Sequence, residues 1–204
     1  MNVAGLLAMI ITCFQISGEF ALGTVKPAWV KGLSRHGWLS GKVVVAAMAV
    51  TVLFMAIVAV SLLSAGVRHG FADLMENNYT MHTSGELWKG YGLCSVLTLF
   101  SLWAAVSVTS MLAVCLNRTG SAIAAAVLLA VALSVAAVFS PARPFLLTSA
   151  LSLPFEQMTA MSKGLPLPLE WGELAWKTLA CAGGWLAVSC AAGHAIIARK
   201  EITF

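Results

Sequence analysis

The sequence predicts an all-α integral membrane protein with about five transmembrane helices, an amphipathic helix on the inner face and short interfacial helices on the outer one. Three observations lead there. Hydrophobic residues make up 60% of the 204-residue chain and charged ones only 10%, where a soluble domain carries about 25% charged residues. The mean hydropathy is +0.91. The apolar residues fall into long uncharged runs, with the charges gathered between them. A formal charge of +4 on such a chain is loop charge that orients a membrane protein, and there is no soluble basic domain to present it to nucleic acid.

A spanning helix needs ~20 mostly apolar residues, because backbone polar groups find no partners in hydrocarbon. Residues 43–66, 91–116, 121–139 and 178–198 meet this length, the last with His194 as its only ionisable group. Residues 3–18 are apolar but short. That span reaches full thickness by borrowing residues 20–22 and carrying Glu19 near the interface. With no basic n-region and a poor cleavage site at Ser17-Gly18-Glu19, it reads as a retained span. The whole chain, 1–204, is expected to form a single transmembrane domain.

The loops alternate in character. Residues 19–42 hold Lys26, Lys31, Arg35 and Lys42 against Glu19 alone; Arg118 lies in a short turn, and Arg199 and Lys200 follow the last span. These seven basic residues fall on one side, against five diluted by six acids in longer loops on the other. The positive-inside bias therefore places the N-terminus outside and the C-terminus in the cytoplasm. On the outer side, residues 67–90 are polar enough for a solvated hairpin. Residues 141–176 contain five of the six prolines, which rules out one continuous spanning helix. Their apolar faces, interrupted by Glu156, Lys163, Glu170 and Glu173, suit short helices in the interface with Trp171 and Trp176 at headgroup depth.

Within residues 19–42, Leu22, Val25, Trp29 and Leu33 recur at helical spacing, with Lys26, Lys31 and Arg35 off that stripe. Pro27 suits a first turn, and Gly37 and Gly41 are expected to turn the chain into the next span. The product would be a short basic amphipathic helix lying along the inner face. Such a helix serves either as a partner-docking element or as a topological anchor whose cations snorkel to phosphates.

The order Glu19-x-x-x-Gly23-Thr24, Ser34-Arg35, Gly41-Lys42 before a span resembles the cytoplasmic coupling segment of type-2 ABC exporter permeases. These commonly read E-x-x-x-G-T, a leucine-rich stretch, P-x-S-R and G-K. Gly32 stands here where proline is usual, and Val25-Lys26-Pro27-Ala28-Trp29-Val30 replaces the leucine-rich stretch. More weakly, residues 112–119 (LAVCLNRT) are similar to the turn between the family's middle spans, Leu153-Pro154-Phe155 to its outer loop, and residues 198–202 to its basic tail. Such permeases have six spans with the E-x-x-x-G-T element after the second, so the first is expected to be missing here. The resemblance implies a separate ABC ATPase subunit that carries ATP and Mg, a second permease chain as homo- or heterodimer, and export across a prokaryotic plasma membrane. Glu19, Gly23, Thr24, Trp29, Ser34, Arg35, Gly41, Lys42 and Arg118 would form or shape the ATPase contact. The alternative is a non-transporting anchor or scaffold that recruits a cytoplasmic partner through the same helix.

Other chemistry has little support. No G-x-x-x-x-G-K-[ST], G-x-S-x-G or H-E-x-x-H occurs, so no catalytic residue, cofactor or metal is expected in this chain. His36, His69, His82 and His194 are far apart in sequence and expected to be isolated. Cys13, Cys94, Cys115, Cys181 and Cys190 lie singly in apolar runs, without C-x-x-C spacing, and are expected to be buried free thiols. Asn78-Tyr79-Thr80 is a formal glycosylation sequon, meaningful only in a eukaryotic secretory host. The near absence of charge in the spans argues against an ion-coupled carrier. It favours an apolar or amphipathic cargo: a lipid-like molecule, a peptide or a drug.

Overall fold

The computed structural model describes residues 3–30, 32–69, 74–76, 79–116, 118–139, 143–163, 165 and 169–199; side chains at 3, 26, 28, 29, 68, 69, 74–76 and 79–82 are not among those described. The protein is an all-α membrane protein. Its helices are α1 (Val3–Ala21), α2 (Val25–Val30), α3 (Arg35–His69), α4 (Ser84–Cys115), α5 (Thr119–Phe139), α6 (Leu147–Ser162) and α7 (Trp171–Arg199), with a two-stranded antiparallel hairpin, β1 (Leu74–Glu76) and β2 (Tyr79–His82), between α3 and α4. Helices α1, α3, α4, α5 and α7 are each long and apolar enough to cross a membrane. The five expected spans fall within these helices, apart from residue 116, which caps α4.

Local chemistry sets the helix ends. Thr83 and Glu86 form a reciprocal capping box at the start of α4. Ser34 Oγ accepts from the Gly37 N–H at 3.0 Å and caps α3. Glycines at positive φ stop α1 and α2: Gly23 at 70° and Gly32 at 89°. The turns around α2 are therefore at Gly23 and Gly32. Gly37 and Gly41, expected to turn the chain, are helical residues inside α3.

Helix α4 is the axis of the bundle and packs against α1, α3, α5, α6 and α7. Hydrophobicity does not drive helices together in lipid, so close contact of small residues must do so. Ala104, Ala105, Ser107 and Ala113 of α4 and Ala182 and Ser189 of α7 are all buried. Ser107 and Ser189 hydrogen-bond across the α4–α7 interface. Most hydroxyls in the spans instead bond to the carbonyl of the preceding turn, as do Thr12, Thr51, Thr109 and Ser134.

The 141–176 segment does contain a short helix, α6, but it is not laid flat in an interface. Ser101 Oγ of α4 donates to the Ala150 carbonyl at 3.0 Å, and Thr148 Oγ1 donates to Leu133 of α5 at 3.4 Å. At the other end of α6, Met161 abuts Gly90, as does Trp171 of α7. Eleven residues of α4 separate Gly90 from Ser101, about 16 Å at 1.5 Å per residue. After α5 the chain thus returns to the level of Leu133, six residues or about 9 Å before the end of α5, and α6 climbs back antiparallel to α4. Irregular backbone at such depth is tolerated only when buried in protein and satisfied. The Phe145 carbonyl accepts from Trp185 Nε1 at 2.9 Å, and the Leu146 carbonyl from Cys181 Sγ at 3.5 Å. Ser149 Oγ donates to the Arg143 carbonyl at 2.5 Å. Leu147, Leu151 and Pro154 are buried, so tertiary packing retains a helix through a proline that removes one internal bond.

A Cβ at Gly90 would lie 2.8 Å from Met161 Sδ and 3.0 Å from the Trp171 ring. Gly90→Val is therefore expected to destabilise the α4–α6–α7 junction by about 1–3 kcal/mol through overpacking, measured as a lowered thermal midpoint in detergent. The exposed Gly92, with nothing within 4 Å of its Cβ position, should accept valine with a far smaller change.

Candidate functional site at the basic end of the bundle

One end of the bundle gathers the 19–42 segment, the α4–α5 turn with Arg118, and the end of α7. A Cβ on Gly193 of α7 would lie 3.6 Å from Leu39 of α3 and 3.8 Å from Met111 of α4, so the three helices reach this end together. Arg35 Nη1 donates to the Ala198 carbonyl at 3.1 Å and ties the start of α3 to the last turn of α7. A guanidinium there also complements the negative C-terminal end of the helix dipole.

The segment is not one amphipathic helix. It is the end of α1, a turn, six-residue α2, a second turn and the first turns of α3. Consequently the Leu22–Val25–Trp29–Leu33 stripe is divided. Val25 is buried in the core, while Leu22 and Leu33 occupy the two turns and are exposed, as is Val30 at the end of α2. Trp29 belongs to α2, but its side chain lies outside the described residues, as do Lys31 and Lys200.

The remaining candidates have defined places. Glu19, in the last turn of α1, forms an ion pair with Lys42 of α3; their side chains are 30% and 29% exposed. Lys42 is thus the partner of Glu19. The Glu19 carbonyl accepts from the Thr24 N–H at 3.1 Å and from Thr24 Oγ1 at 3.3 Å, closing the turn through Gly23. Ser34 caps α3, Gly41 lies exposed within it, and Arg118 is exposed in the α4–α5 turn. The structure therefore joins Glu19, Thr24 and Lys42 directly, holds Ser34 and Arg35 in helix-end contacts, and leaves Arg118 apart in the second loop.

Two features had no signal in the sequence. Phe20 and Trp38 meet edge to face, centroids 5.2 Å apart at 72°, and lock α1 to α3 beside the ion pair. His36 and His194, expected to be isolated, bring their Nδ1 atoms within 3.2 Å, and Ser40 Oγ lies 3.4 Å from His194 Nε2. One imidazole N–H donates to the other ring across 158 residues of chain, a separation that no local pattern reveals. Cys115 is exposed, not buried as expected.

A six-residue helix, braced against the bundle by Val25 and joined to two spans through glycine turns, is the arrangement that comparison with known proteins must accommodate. A family model described as "protein of unknown function (DUF2705)" matches residues 2–203. The chain belongs to the DUF2705 family. No curated protein and no solved structure matches it. The family match covers all five long helices and α2, so in this DUF2705 chain the basic end, the re-entrant α6 and the bundle belong to one matched region.

Proposed function

We propose that this chain is the transmembrane subunit of an ATP-driven exporter, with the basic end facing the cytoplasm and receiving a separate ATPase subunit. The observation that carries this reading is the mounting of α2. It leaves exposed Leu22, Val30 and Leu33 around a helix whose two ends run directly into α1 and α3. The Glu19–Lys42 pair and the Phe20–Trp38 contact clamp these two spans together just behind it. A push on α2 therefore moves both spans as a unit. ATP and Mg are held by the partner, which closes on nucleotide; this chain supplies the lever and the membrane path. A second permease chain completes the assembly, and the cargo is apolar or amphipathic. The excess of lysine and arginine at the α2 end supports a cytoplasmic orientation.

The test is co-expression with an ATPase that has no spans of its own. Val30→Asp and Arg118→Glu alter exposed side chains, so thermal stability should hold within about 0.5 kcal/mol. Each is expected to reduce ATPase co-purification about tenfold, the effect of losing ~1.4 kcal/mol at an interface anchor. Chain-dependent ATP turnover should fall with it. Unchanged capture by both variants refutes docking at α2. Capture without any chain-dependent turnover identifies an anchor instead.

A further inference from the structure

At the opposite half of the bundle, α3 stands away from α4 and α6, and a cavity of about 620 Å³ opens between them. Its walls include Phe54 and Ile57 of α3 and Phe155 and Met158 of α6, and among the described residues no charged one lines it. This is the size range of ligand pockets, with room for about twenty heavy atoms at ~30 Å³ each. Three hydroxyls facing it differ from the rest. The lining Thr98, Thr159 and Ser162 each donate to a backbone carbonyl of their own helix, at 2.8, 2.8 and 3.0 Å. Ser61, Tyr91 and Ser95 line the same cavity with no hydrogen-bond partner among the described residues. Tyr91 and Ser95 are one turn apart on the same face of α4, and Ser61 comes from α3 opposite. An unpaired hydroxyl in hydrocarbon is costly, and three around one apolar cavity call for a ligand with hydrogen-bonding groups of its own. A charged headgroup inside would find no counter-ion.

We propose that this cavity binds a neutral acyl ester of the membrane, its hydrocarbon chain between α3 and α6 and its ester oxygens accepting from Ser61, Tyr91 and Ser95. The chain enters sideways from the bilayer through the gap beside α3, whose outer residues Met55, Val60 and Leu63 are exposed. This is an assignment of a binding site and does not rest on the transport reading.

The test uses the full chain in detergent with two photoactivatable probes: a diacylglycerol with a diazirine in one acyl tail, and a diazirine alkane without the ester. Diacylglycerol adducts are expected on α3, α4 and α6 around the cavity and should be competed by unlabelled diacylglycerol. Ser95→Trp, which obstructs the cavity between α3 and α6, should reduce them about tenfold, while Val131→Trp on the exposed face of α5 leaves them unchanged. Should Ser95→Trp fail to fold, the volume-preserving Ser61→Ala/Ser95→Ala/Tyr91→Phe variant replaces it. Loss of three bonds should weaken diacylglycerol labelling at least fivefold and leave alkane labelling unaltered. Adducts spread evenly over α3 and α5 without competition overturn the proposal. So does equal labelling by the two probes that is indifferent to the triple variant, since the cavity is then only an unselective apolar gap.

Discussion

Glu19→Lys is expected to lower the unfolding free energy by about 2–4 kcal/mol, with Lys42→Glu in the same chain recovering most of the loss. The pair is two-thirds buried between α1 and α3, where removing one partner leaves an incompletely solvated charge. Reversal goes further, because it sets two ammonium groups against each other. The swapped double variant restores attraction but not the local geometry, so a coupling energy of about 1–3 kcal/mol should emerge from the cycle, read by thermal or denaturant unfolding in detergent. If the reversal is silent, the two spans are not clamped here and force on α2 has no rigid path into the bundle. Because Phe20 and Trp38 pack beside the pair, Trp38 fluorescence should shift in the single variant and return in the double one.

Gln157→Leu should cost about 2–5 kcal/mol, more than its change in volume predicts. Gln157 is 1% exposed, and its amide holds both backbone groups of one residue: Nε2 donates to the Leu169 carbonyl at 2.7 Å, and Oε1 accepts from the Leu169 N–H at 3.3 Å. Leucine fills the space but leaves a donor and an acceptor unpaired, each costing about 1–3 kcal/mol. The expected result is a lowered thermal midpoint together with faster hydrogen exchange at the amide of residue 169. Gln157→Glu separates the two bonds. Its carboxyl can accept from the N–H, but it can donate to the carbonyl only while protonated, so this variant should lose stability as pH rises, which leucine would not. A midpoint unchanged by leucine would mean that the link between α6 and α7 is held elsewhere.

Much of the fold was legible because membrane spans declare themselves by composition alone. A run such as 43–66, without a charge, has one stable conformation in hydrocarbon, and no tertiary information is needed to place it. The periodicity of 19–42 misled for an identifiable reason. Leu22 and Leu33 match a helical repeat, yet Gly23 and Gly32 at positive φ break the helix between them. Composition anticipated a short helix in 141–176 but hid the seating of α6, whose polar and proline content suits an interface when neighbours are ignored. Buried carbonyls at 145 and 146 are acceptable only because Trp185 and Cys181 of α7 reach them.

By itself, then, the sequence determined that this protein lives in a membrane, how many helices can cross it, and where its cations cluster. Each of these follows from transfer of single segments between water and hydrocarbon. Only the tertiary structure decided that Glu19 pairs with Lys42, that His36 meets His194, that α6 re-enters the bundle, and that three unpartnered hydroxyls share one apolar cavity. Those are contacts between segments up to 158 residues apart, and their energies depend on packing geometry that no single segment contains.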